Sequence, residues 1–165
     1  MSENTVPVWG NELEYYINTG TSAEPTWTQA TELLTWEPSA DPKTYEPAWL
    51  DRKVSPTFVQ GRACSINWTK DTVKGGALEA WVMEHRNESD LACEVCRVYT
   101  WLGTASAQTA DMAAFMFNPA DPSNANGGQP VVTGGSLSMA DDGWTEGTWN
   151  PTTKAFAAGD APAQG

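Results

Sequence analysis

The sequence predicts a mainly β protein, an antiparallel sandwich or barrel with one flanking α-helix. Two observations carry this. Short runs of β-branched and aromatic residues recur between clusters of Gly, Pro, Asn and Asp, giving eight or nine strand candidates. The apolar spacing changes from two to 3.6 in a single stretch, so one helix is expected among the strands. No internal repeat with a period of roughly 20 to 50 residues is present, which argues against a solenoid or propeller. With 165 residues the default is one domain, large enough to bury a core without disulfides or metal.

The elements follow in order. Residues 1–11, MSENTVPVWGN, have no period and are expected to form a flexible arm, with a single β-rich domain over residues 12–158. A strand is expected near Glu14–Asn18, ending at Asn18-Thr19-Gly20. A short extended piece follows at Thr26–Thr28, and a second strand near Leu33–Glu37 with Leu34 and Trp36 on one face. Residues 38–53 contain Pro38, Pro42 and Pro47, which are poor in central strands. They read as a long extended loop or a hairpin arm carrying Tyr45, Trp49 and Leu50, and long loops in compact domains are usually functional.

VSPTFVQG reads as an edge strand. RACSINWT is the clearest strand, with Cys64, Ile66 and Trp68 alternating against Ala63, Ser65 and Asn67. Leu78, Trp81, Val82 and His85 then fall at i, i+3, i+4 and i+7, one face of a helix over about 76–87, with Asp71 or Thr72 as its cap. LACEVCRVYTWLG and MAAFMFNP return to strand character, the latter with Ala113, Phe115 and Phe117 on one face. DPSNANGGQP is a loop. VVTGGSLSMADDG and WTEGTWNP read as two strands around a turn at Asp141-Asp142-Gly143. A turn and a terminal strand at NPTTKAF precede a flexible tail, residues 159–165.

Composition narrows function. The net charge of −12 argues against a protein that tracks nucleic-acid phosphates, which needs a basic face. The charge is uneven: residues 1–42 carry −7, 43–97 are neutral and 98–165 carry −5. Nine Trp in a chain only 18% charged place much apolar surface in large aromatics, which suit subunit interfaces and sugar-binding faces. No signal peptide or long apolar run is evident, so no secretion route or membrane span is indicated. Three cysteines rule out a full disulfide framework and favour a reducing compartment.

Cys93-Glu94-Val95-Cys96 has the two-residue gap that zinc ligands use, and Cys64 and His85 make up a nominal ligand set. The pair lacks a turn and a second pair. In a strand, residues three apart point to opposite faces, with Cys93 beside Val95 and Cys96 beside Val98. Structural cysteine is the favoured reading, and neither metal, cofactor nor catalytic residues are expected. A redox role fails because the pair follows the helix rather than opening one. Asp141-Asp142-Gly143 is more simply a hairpin turn than an acid/base pair or a calcium ligand. A carbohydrate-binding module that uses Trp27, Trp36, Trp49, Trp144 and Trp149 as a stacking platform is the alternative to a structural protein.

The layout resembles the tail tube protein family of long-tailed bacteriophages. The segments that carry it are Asn18-Thr19-Gly20, Pro25-Thr26-Trp27, Thr44-Tyr45-Glu46, the strand at Ala63–Trp68 before a single helix, and the closing WNPTTKAFAAG from Trp149 to Gly159. The resemblance covers residues 12–160 as a layout. It implies a non-enzymatic virion protein, assembled in the host cytoplasm, whose hexameric rings stack into a hollow tube for genome ejection. The implied partners are further copies of itself and the tape-measure, tail-terminator and baseplate or initiator proteins. DNA would pass through the lumen without specific binding, and no membrane is involved. Tyr45, Trp49 and Leu50 would make inter-subunit or inter-ring contacts. Leu78, Trp81 and Val82 would pack the helix onto the sheet. The same architecture is shared by contractile tails and type VI secretion tubes.

Overall fold

A computed structural model of the protein describes residues 5–88, 91–123 and 126–159. The outer parts of the expected arm and tail, residues 1–4 and 160–165, lie outside the described residues. The chain forms β1 (Leu13–Asn18), β2 (Trp27–Gln29), β3 (Leu33–Tyr45), β4 (Phe58–Asp71), α1 (Ala77–Glu84), β5 (Leu91–Thr104), β6 (Ala107–Pro119), β7 (Val132–Met139), β8 (Thr145–Asn150) and β9 (Ala155–Ala158). All pairings are antiparallel, in the order β2-β1-β5-β6-β7-β4-β3, with β8 and β9 branching from β6.

Alternation along β1, β5 and β6 builds two cores, one on each face of these strands. Tyr15, Ile17, Cys93, Val95, Ala113, Phe115 and Phe117 face one way, onto Ile66 and Trp68 of β4, Leu137 of β7 and the helix. Tyr16, Cys96, Val98 and Ala110 face the other way, onto Trp27 and the fully buried Trp149 of β8. Cys93 and Cys96 thus point to opposite sides of the sheet. The sheet also coils on itself. Tyr15 of β1 stacks on Trp36 of β3 with ring centroids 4.2 Å apart, although the two strands lie near opposite ends of the strand order.

Asn18 closes the β1–β2 connection. Its Oδ1 accepts from the Gly20 and Thr26 amides, both at 2.9 Å, and its Nδ2 donates to Thr21 O and Glu94 Oε1, both at 3.1 Å. Buried and fully bonded, it holds the Asn18-Thr19-Gly20 turn against β5.

The helix lies on the sheet through Leu78, Trp81 and Val82, all buried. Trp81 stacks on Phe117 at 5.4 Å, and Phe117 on Trp68 at 5.8 Å. Gly135 of β7 makes room for this stack, since a Cβ there would lie 2.8 Å from the Phe117 ring. The helix is shorter than 76–87, ending where the His85 amide bonds Trp81 O. Neither Asp71 nor Thr72 caps it: Asp71 ends β4, and the Thr72 hydroxyl bonds Thr133 Oγ1 at 2.6 Å. The carboxylate of Glu79 anchors it instead, accepting the Val73 amide at 2.7 Å and the buried Lys70 ammonium at 2.6 Å. His85 sits at the rim, edge-on to Trp81 and bonded to Glu88 Oε2 at 2.8 Å, rather than inside the core.

Three further expectations are corrected. Leu34 and Trp36 do not share a face: a register shift between Leu33 and Thr35 turns Leu33 inward with Trp36 and leaves Leu34 exposed. Of the two readings of residues 38–53 the hairpin arm holds and the loop does not: residues 38–45 are the distal part of β3, paired with β4. Pro38 and Pro42 are accommodated there because β3 is the last strand of its order, with no partner beyond it to receive the missing amides. Finally, β7 and β8 do not form a hairpin. The Asp141–Gly143 turn carries the chain from one half of β6 to the other: β7 pairs with Phe115–Pro119, and β8 with Gln108–Met112.

Candidate assembly surfaces

The β3–β4 hairpin leaves the body because its partner strand stops early. The two strands pair from Leu33↔Lys70 out to Tyr45↔Phe58, whereas β7 accompanies β4 only from Ser65 to Asp71. Beyond Ser65 the hairpin has no second neighbour, and residues 37–46 and 58–63 are exposed throughout. A register shift between Lys43 and Thr44 kinks it, and Gly61 opposite Lys43 holds a φ of +139°, a backbone state that strains other residues.

The tip joins two of the three predicted contact residues. Phe58 stacks against Tyr45 at 6.5 Å and meets Trp49 at 6.0 Å. The Arg52 guanidinium lies over the Trp49 ring, 4.7 Å from its centroid. Leu50 stands apart, fully exposed, and Val54 and Val59 add further open aliphatic surface. The tip thus presents an aromatic centre and exposed aliphatic side chains on a projecting hairpin. Sequence reasoning missed Phe58, Arg52, Val54 and Val59. The run VSPTFVQG, apolar at Val54, Phe58 and Val59, held the only signal for most of these. The other predicted residues, Leu78, Trp81 and Val82, are buried inside the body and contribute nothing to the surface.

A groove of roughly 780 Å³ runs between the root of the hairpin, including Asp41, Arg62 and Cys64, and the turn from Asp141 to Trp144. Beside it Arg97 bonds Asp111 through Nε at 3.1 Å and Nη2 at 2.9 Å, and lies 4.2 Å over the Trp144 ring. Burial opposes the Arg97 charge, but the Asp111 carboxylate more than offsets this and raises its pKa further. Burial and the same carboxylate push the Tyr99 phenol up to about 12. Arg97 braces the turn through Trp144.

Little else is chemically poised. Burial pushes the Cys93 thiol up to about 12 and moves Cys96 in the same direction, so both are protonated and poorly nucleophilic at neutral pH. Among the described residues no group of three or more His, Cys, Asp and Glu is arranged to hold a metal ion. No helix among them is long and apolar enough to cross a membrane. Nor do the five tryptophans form a sugar platform. Trp27 and Trp149 are buried in one core, Trp36 and Trp144 pack against the other, and Trp49 is alone on the hairpin tip.

No protein-family model and no curated protein matches this sequence. Among solved structures, the chain is similar to the SPP1 tail tube determined by solid-state NMR and cryo-electron microscopy. The TM-score is 0.67 at 15% identity, over 89% of this chain and 83% of that one. It also aligns with the anti-feeding prophage baseplate at TM-score 0.49 and 11% identity, over 85% of this chain and 96% of that one, a likeness too weak to build on. The antiparallel sheet, the single α-helix among the described residues and the match to the SPP1 tail tube identify the fold as that of a phage tail tube protein.

Proposed function

We propose that the protein is a non-enzymatic structural subunit of a phage tail tube. Copies assemble into stacked, hexameric rings that enclose a conduit for the genome, with residues 12–158 as the single folded unit of each. The observation that carries this is the fold likeness to the SPP1 tail tube across 89% of the chain. The free hairpin with its aromatic tip supports it, because a projecting contact surface with no partner in the monomer is what repeated self-association requires. Tyr45, Trp49 and Leu50 contact the neighbouring subunit or ring. The tube ends and interior engage tape-measure, tail-terminator and baseplate proteins, and assembly takes place in the host cytoplasm before incorporation into the virion.

The net charge of −12 suits a conduit, since a wall of the same sign as DNA lets phosphates pass without binding. Negative-stain electron microscopy of the concentrated protein tests the proposal. Rings or tubes are expected. Protein that stays monomeric, even with a tape-measure fragment present, would overturn it.

A further inference from the structure

Four of the nine Lys and Arg residues, Lys43, Arg52, Lys53 and Arg62, lie in the hairpin between residues 40 and 64. All four are exposed. Among the described residues none forms an ion pair within its own chain, whereas Lys70 and Arg97 of the body are committed to Glu79 and Asp111. With Asp41, Glu46 and Asp51 counted, residues 40–64 carry +1 and the rest of the chain −13. A cationic, aromatic-tipped hairpin therefore projects from a strongly acidic body.

Resting on the tail-tube reading, we infer that the hairpin docks on an acidic face of a second copy of this chain, with Arg52 and Lys53 supplying ion pairs around the Trp49–Phe58 anchor. The geometry suits Arg52 to this role. Its guanidinium lies over the Trp49 ring, 4.7 Å from the centroid, and is exposed without an ion pair among the described residues, so its N–H groups are open to a carboxylate. Self-association also resolves an electrostatic conflict. Bodies of −13 repel one another, and a hairpin of opposite sign can approach an acidic neighbour attractively. Nucleic acid is the less suited partner: three carboxylates interrupt the cations, and a phosphate tracker needs a continuous basic stripe.

The test compares full-length wild type, the double variant R52E/K53E and W49A by sedimentation and electron microscopy over about 0.05–0.5 M NaCl, a range across which the screening length falls severalfold. Wild-type assembly is expected to weaken with salt. R52E/K53E is expected to need roughly tenfold more protein to assemble at low salt, the loss of about two surface ion pairs. Its assembly should strengthen rather than weaken with salt, because the reversed charges repel the acidic face, while it melts like wild type. If R52E/K53E assembles as wild type does and W49A does not, the contact is apolar and the electrostatic inference falls, while the tail-tube reading survives. If wild type itself never assembles, both fall. Binding of a labelled DNA duplex that R52E/K53E abolishes would reassign the hairpin to nucleic acid.

Discussion

The Asp141 carboxylate accepts the Ala114 amide at 2.8 Å at the point where β6 changes partner. On one side of Ala114, β6 pairs with β8 up to Met112, and on the other with β7 from Phe115. The Ala114 carbonyl accepts the Ala140 amide, also at 2.8 Å. A fork in a sheet leaves backbone groups without a ladder partner. Here the turn that crosses the fork supplies both replacements.

Asp141→Ala is therefore expected to destabilise the fold by about 1 kcal/mol, the usual net value of one such hydrogen bond at a partly solvated site. Asp142→Ala, whose side chain makes no hydrogen bond among the described residues, serves as the comparison and should be neutral. Urea midpoints of the two variants decide it: equal midpoints would mean that water replaces the carboxylate at no cost.

Glu79 predicts an acid-sensitive helix. Burial pushes its carboxyl up, but bonds from the Lys70 ammonium and the Val73 amide outweigh that and hold it below the ordinary 4.5. A carboxyl depressed in the folded state contributes stability above its unfolded pKa and loses it as pH falls through the folded value. Stability should thus decline below about pH 4.5, the carboxyl's ordinary value. Glu79→Gln is expected to be less stable by about 3 kcal/mol at neutral pH, because it leaves the buried Lys70 charge with only the half-exposed Glu32 carboxylate, 3.9 Å away. It should also show a smaller further loss in acid, since the carboxylate left beside Lys70 is the half-exposed Glu32. Denaturant titrations between about pH 3 and pH 7 separate the two behaviours. A parallel decline in both proteins would place the acid sensitivity elsewhere.

The cysteines predict a reactivity pattern. Cys93 and Cys96 are buried on opposite faces with raised pKa values, while Cys64 is partly exposed beside the groove. In the native protein at pH 8 a thiol reagent should label Cys64 alone, and in denaturant all three. Peptide mass spectrometry reads the sites directly. Rapid native labelling of Cys93 or Cys96 would mean that the sheet opens around β5.

Much of this was legible because period-2 alternation is a local signal. Cys64, Ile66 and Trp68, and Ala113, Phe115 and Phe117, announce their strands and their inward faces without any tertiary knowledge. The opposite facing of Cys93 and Cys96 followed from the same rule. What was hidden depends on neighbours. Pro38 and Pro42 look like loop residues until β3 is known to be an edge. Leu34 looks inward until the register shift is seen. The β7–β8 turn looks like a hairpin because nothing local reveals that β6 accepts each strand separately. At the tip, the link between Tyr45 and Trp49 runs through Phe58, thirteen residues beyond Tyr45 and brought back by the hairpin.

Trp49 gives the sharpest separation of folding from assembly. It is 40% exposed, packs with Phe58 and Arg52 of the tip, and belongs to neither core. Trp49→Ala should therefore leave monomer stability within about 0.5 kcal/mol of wild type, as for other surface substitutions. An aromatic anchor at the centre of an interface typically costs about 2 kcal/mol or more when truncated, so the concentration needed for assembly should rise at least about thirtyfold. Thermal melting of dilute protein measures the first quantity, and sedimentation of concentrated protein the second. Loss of the monomer fold would make the hairpin part of the core. Unimpaired assembly would move the subunit contact away from its tip.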